Sequence, residues 1–279
     1  MQTPEADLPN ITTGAFPIAW LSNALVGQCA TVTDLTPSDG DVHDLELSPS
    51  QTAAVVDANL IVTASGFQSA FDDAVSASSA KVLDLISVVN PIAGHEHGHS
   101  EESEHVDEKE MLDPHFWLDP NRMILAAAAI RDQVAQLSDE CNEVAQTNYT
   151  QIESDLIELD LEFKNELAQC ESRTLVVSHE AFGYLGHVYD LEQIAVTGID
   201  PESEPSAARI TEIINLAREQ KVSAVFTESS ANPAVAEILA SELSLGVLKL
   251  DPIELKPDSL DYLQVMRENL VNLTKGLNC

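Results

Sequence analysis

The stretch from Glu140 to Gln169 contains neither glycine nor proline. Its apolar residues Val144, Ile152, Leu156, Ile157, Leu161, Phe163 and Leu167 recur at helical spacing. Roughly 30 residues of helix span ~45 Å. That is too long for a packing element inside one small domain, and it suits a rod joining two lobes. The reading that follows is an N-terminal α/β lobe over residues 1–138, a joining helix over 139–170 and a C-terminal α/β lobe over 171–279.

Both flanks of the rod alternate strand and helix. Before it, Ile11–Gly14, Ala30–Leu35, Asn59–Thr63 and Lys81–Ile86 read as strands, and Pro17–Val26, Ser48–Asp57 and Asn121–Gln136 as helices. Ser48 stands as the N-cap of the second helix, with Pro49 at its first position. After the rod, strands at Arg173–Ser178, Gln193–Thr197, Ser223–Thr227 and Gly246–Leu250 alternate with helices at Ala181–Tyr189, Ser206–Gln220, Pro233–Leu243 and Leu260–Leu273. Such alternation predicts βαβ units and a parallel sheet on each side. Residues 95–110 break the pattern. They have almost no apolar side chains and form a low-complexity, His-rich loop that cannot offset its own ordering by burial.

Composition excludes several functions. Thirteen Lys and Arg stand against 47 Asp and Glu, for a net charge of −34. Such a chain repels phosphate backbones and anionic lipid, so nucleic acid is not an expected partner. The bland reading of the acidity is a solvated surface. No stretch approaches the ~18–20 apolar residues of a membrane-spanning helix. The opening residues 1–7 lack the basic and apolar regions of a signal peptide. The expectation is therefore a cytoplasmic protein or a mature form with its export segment removed. Cys29, Cys141, Cys170 and Cys279 match no zinc-finger spacing, and a disulfide framework is not expected in a chain this large. Buried thiols and a single bridge both stay open.

Eight histidines fall into two groups. His95, His97, His99 and His105 lie in the polar loop. His43, His115, His179 and His187 are widely separated. His43 follows the second strand through the loop Thr36–Val42. His115 sits between Pro114 and Pro120 in a stiff, non-helical segment. His179 ends a strand, and so does Asp251, which Pro252 follows. Ligands bind parallel α/β sheets at the carboxyl ends of the strands. Three imidazoles and one carboxylate suit tetrahedral zinc. Each histidine taken singly also has a structural reading, and His187, on the far side of a predicted helix, is assigned to that class. Spacing alone leaves the two readings of the other three side by side.

The segments in order resemble the zinc- and manganese-binding solute-binding proteins of ABC transporters. Val42-His43-Asp44-Leu45-Glu46-Leu47-Ser48-Pro49 resembles that family's first ligand segment. Asp113-Pro114-His115-Phe116-Trp117-Leu118-Asp119-Pro120 resembles its Asp-Pro-His-x-Trp signature. Val177 to Tyr184 resembles its third ligand segment, and Phe226-Thr227-Glu228 and Leu250-Asp251-Pro252-Ile253 its last two strand ends. The resemblance implies two Rossmann-like lobes with four-stranded parallel sheets, joined by one rigid helix, with the metal in a cleft between them. It implies His43 and His115 as ligands from the first lobe, and His179 and Asp251 from the second. It further implies an exported protein, periplasmic or lipid-anchored to the outer face of the membrane, that works with a permease and an ATPase. A monomer is the expected state.

His179, where manganese-binding relatives typically carry Glu, favours Zn2+ over Mn2+. Glu228 is a candidate acceptor orienting a ligand histidine, or else a plain strand-end carboxylate. Trp117 reads as packing. The expected mechanism is capture without chemistry, through a small lobe movement or a local loop change. A zinc-dependent hydrolase is the rival from another class, but the chain has no His-Glu-x-x-His. An adhesin-like surface protein is the third reading.

Overall fold

The computed structural model describes residues 8–94, 112–199, 205–228 and 233–279. The His-rich loop, with His95, His97, His99 and His105, lies outside the described residues. The chain divides into two compact units. One comprises Met1–Asn90, Asn121–Ile157 and Glu254–Asp258, the other Pro91–Pro120, Glu158–Ile253 and Ser259–Cys279.

The first unit is built on β1 (Asn10–Thr13), β2 (Thr31–Asp34), β3 (Leu60–Thr63) and β4 (Lys81–Asp84), all parallel in the order β2-β1-β3-β4. All four residues of β3 are buried. That is the pattern of a central parallel strand covered on both faces. Parallel neighbours require crossovers, and α1 (Phe16–Val26), α2 (Pro49–Val56) and α3 (Ser69–Ala77) lie between successive strands. The α2 start is as read from the sequence. Ser48 accepts from Gln51 N–H while the Gln51 side chain returns to the Ser48 N–H, with Pro49 at the first position. α3 was not anticipated, because Phe71 and Val75 are its only large apolar residues. Phe71 is buried with Leu35, Leu45, Val55 and Ile61 in this unit's core.

The second unit repeats the plan. Its strands β5 (Thr174–Val177), β6 (Glu192–Ala195), β7 (Ala224–Thr227) and β8 (Gly246–Lys249) are parallel in the order β6-β5-β7-β8. Among its helices are α6 (Gly183–Tyr189), α7 (Ala207–Glu219), α8 (Pro233–Leu243) and α9 (Tyr262–Gly276). Val176, Ile194 and Val225 from the sheet pack with Ile213 of α7 and Leu239 of α8. Each such side chain contributes about 1.5–3 kcal/mol through burial.

After α4 (Pro120–Val134) comes the long helix α5 (Asp139–Leu167), 29 residues with Asp139 and Glu140 in its first turn and Lys164 near its end. These charges complement the helix dipole. Residues of α5 up to Ile157 belong to the first unit and those from Glu158 to the second. The fold is thus α/β, two lobes with four-stranded parallel sheets and one long helix.

The cysteines correct the sequence reading, for they form two bridges, Cys29–Cys141 and Cys170–Cys279. Cys141 is in the first turn of α5 and Cys170 lies just beyond its end, so a disulfide fastens each end of this helix within its own unit. Closing loops of 112 and 109 residues is worth up to about 4–5 kcal/mol each in the chain-entropy account.

Candidate metal centre

In the second unit the ligand-type side chains sit beyond the carboxyl ends of the central strands. Val176 of β5 pairs with Val225 of β7. Three residues further along each strand stand His179 and Glu228, so the parallel register sets them side by side. The Glu228 carboxylate accepts from both the backbone N–H of His179 (3.2 Å) and its ring Nδ1 (2.8 Å). Both residues are buried.

His115 is held in the same way by a local device. Asp113 accepts the His115 backbone N–H through Oδ1 at 2.9 Å, and the same oxygen meets ring Nδ1 at 2.8 Å. Prolines at 114 and 120 and a 3-10 turn over Phe116–Leu118 keep the segment from joining α4. Asp113 is fixed in turn, since Tyr184 of α6 donates its O–H to the Asp113 carbonyl at 2.7 Å. Gly183 permits this approach: a Cβ there would stand 2.7 Å from Asp113 Oδ2. The His115 and His179 rings lie 5.5 Å apart between centroids, at 0% and 2% exposure. A carboxylate on Nδ1 selects the Nδ1–H tautomer, in which Nε2 is the nitrogen that carries the lone pair. Trp117 is buried packing, as read from the sequence, with its ring edge-on to His115 at 5.3 Å.

The first unit carries His43 and Glu254. His43 leaves the loop after β2, where its backbone N–H donates to Asp41 Oδ1 at 2.9 Å. Phe67 packs edge-on against its ring at 4.8 Å. The next residue, Gln68, is buried and donates from Nε2 to the carbonyls of Val42 (3.0 Å) and Gly14 (3.1 Å), stitching the loop to the end of β1. His43 Nε2 lies 3.4 Å from Glu254 Oε1. Two ligands on one tetrahedral zinc, each at about 2.0–2.1 Å, stand roughly 3.3–3.4 Å apart. The pair therefore has the spacing of two donors sharing an ion.

Asp251, the carboxylate singled out in the sequence, follows β8. Its Oδ1 accepts the Ile253 N–H at 2.8 Å and its Oδ2 lies 3.2 Å from Lys249 Nζ. The carboxylate that faces a histidine in the first unit is Glu254, three residues on. Asp113 and Glu254 were missed as functional residues. The spacing Asp113-x-His115 is the signal that pointed to the first. His187 is exposed in the last turn of α6.

Two parallel sheets with ligand-type histidines beyond their strand ends define a metal-binding α/β protein of two lobes. The chain belongs to the family described as zinc-uptake complex component A, periplasmic (ZnuA), whose family model matches residues 11–276. Among curated relatives, the zinc-binding protein AdcA of Streptococcus pyogenes is 29% identical over 94% of this chain and 55% of its own length. The high-affinity zinc uptake system protein ZnuA of Bacillus subtilis is 28% identical over 98% of this chain and 89% of its own. This chain thus spans about half the length of the AdcA relatives. Among solved structures, a Zn(II)-bound variant of AdcAII from Streptococcus pneumoniae aligns with a TM-score of 0.82 and 30% identity, covering 97% of this chain and 99% of that one.

Proposed function

We propose that this protein is the extracytoplasmic solute-binding component of an ABC importer, capturing Zn2+ and delivering it to a membrane permease. The proposed donors are His43, His115, His179 and Glu254. In this proposal Glu254 takes the place that the sequence reading gave to Asp251. One observation carries the reading. His115 and His179 lie beside each other, each with Nδ1 on a carboxylate, and both belong to one buried group of ligand-type atoms with His43 and Glu254. Three imidazoles and one carboxylate are the borderline-soft set that zinc prefers, and manganese, which favours oxygen-rich sites, is the weaker fit.

Four protein ligands close the shell. No position remains for a metal-bound water, so the site captures and does not catalyse. The zinc-binding and zinc-uptake names of the relatives support this cargo; a permease and an ATPase as partners are part of the proposal. Two disulfides fit an oxidising compartment outside the cytoplasm, and no helix among the described residues is long and apolar enough to cross a membrane. Calorimetric titration of metal-free protein with Zn2+ tests the proposal. The expected result is one tight site that Mn2+ at equal concentration does not displace. Unchanged tight binding in both His115→Ala and His179→Ala contradicts it.

A further inference from the structure

Asp251 ends a strand as a ligand would, yet its Oδ1 turns back along its own chain. Oδ1 takes the N–H of Ile253, two residues on, in the manner of an Asx turn. The peptide of Asp251 is gripped on both sides by Asn269 of α9, a buried side chain. Asn269 Oδ1 accepts the Asp251 N–H at 2.8 Å and Nδ2 donates to the Asp251 carbonyl at 2.7 Å. The next carbonyl, that of Pro252, accepts the indole N–H of Trp117 at 2.8 Å. Trp117 lies two residues from His115 and packs on its ring.

These contacts converge on Ile253, which is fully buried with φ +61°. A β-branched residue in the left-handed region is a true outlier and persists only where its surroundings over-determine it. Released, Ile253 relaxes toward extended backbone and redirects the residue that follows, which is Glu254. The geometry points to Asp251 as a positioning residue. With Asn269 and Trp117 it holds Ile253 left-handed so that the Glu254 carboxylate meets His43, and it does not itself bind the ion. The inference rests on the zinc-binding reading above, which takes Glu254 as the carboxylate ligand.

An asparagine at 251 keeps the Oδ1 acceptor for Ile253 N–H but is a poor metal ligand, whereas alanine keeps neither. The test measures zinc affinity by competition with a chromophoric chelator for wild type, Asp251→Asn, Asp251→Ala, Asn269→Ala and Glu254→Gln. It also records visible spectra of the Co2+-loaded forms. Asp251→Asn is expected to keep wild-type affinity and the wild-type Co2+ spectrum. Asp251→Ala and Asn269→Ala are expected to weaken zinc by about tenfold to a hundredfold, the usual range for groups that orient a ligand. Glu254→Gln is expected to alter the Co2+ spectrum, and Asp251→Ala added to it costs little more, since both act through one carboxylate. Loss of affinity in Asp251→Asn equal to that in Asp251→Ala, with wild-type binding intact, overturns the positioning role alone. Wild type that fails to bind zinc overturns the reading beneath it as well. If the alanine variants do not fold, the near-isosteric Asp251→Asn decides by itself.

Discussion

The two units share one strand order but hold their histidines by different means. In the second, each imidazole leans on a carboxylate, His115 on Asp113 and His179 on Glu228, which also takes the backbone N–H of the same residue. Each ring is locked from two directions by one partner. In the first, His43 is placed by its loop, through Asp41 on its backbone, Gln68 on the neighbouring carbonyl and Phe67 on its ring. Its companion Glu254 comes from a short segment that follows a left-handed isoleucine. The second unit therefore presents a preset pair of nitrogen donors and the first a pair set by loop packing. Preset donors lose little freedom on binding, so the second unit is expected to supply the larger share of the affinity.

The sharpest way to break this contrast is to remove a donor. Zinc bound through four protein ligands is worth about 10–16 kcal/mol, so one imidazole accounts for some hundredfold to thousandfold in affinity. His115→Ala and His179→Ala are expected to lose at least that much in chelator competition, and His43→Ala less. Acidification comes next. Protons compete with the metal for neutral imidazole, so zinc affinity is expected to fall on acidification and to level off once the imidazoles are neutral. Titrations at several pH values check the sign, and proton release on zinc binding at acidic pH is the companion observation. Removing an orienting carboxylate is smaller. Asp113→Asn or Glu228→Gln is expected to weaken zinc about tenfold to a hundredfold while leaving stoichiometry at one. Smallest is the loop contact. Gln68→Ala removes two buried hydrogen bonds to the His43 loop, and at about 1 kcal/mol each the loss is roughly fivefold to thirtyfold. A Gln68 effect exceeding that of Glu228→Gln would reverse the comparison.

Much of the fold was legible because its signals are local. Leu60–Thr63 reads as a buried strand from its β-branched run, and Ser48-Pro49 announces α2 through cap chemistry alone. α3 was not legible, since its single buried side chain, Phe71, gives no period. The bridges were not legible either. Cysteines 112 and 109 residues apart carry no sign of their partners until both ends of α5 are placed. At the site, histidines at strand ends and between prolines could be picked out, whereas what orients them depends on register. Glu228 meets His179 only because Val176 pairs with Val225. Asp251 drew attention as the strand-end carboxylate. Glu254, which faces His43, directly follows a left-handed Ile253, a conformation that no propensity predicts for isoleucine.

The proposed site binds one zinc through three imidazoles and one carboxylate, those of His43, His115, His179 and Glu254. X-ray absorption on protein loaded with one equivalent of zinc, with His95, His97, His99 and His105 replaced by serine, tests it most directly. The expected result is a four-coordinate shell at about 2.0–2.1 Å with the multiple-scattering signature of three imidazoles, reduced to two in His179→Ala. A six-coordinate, oxygen-dominated shell, or an imidazole count that His179→Ala leaves unchanged, would contradict it.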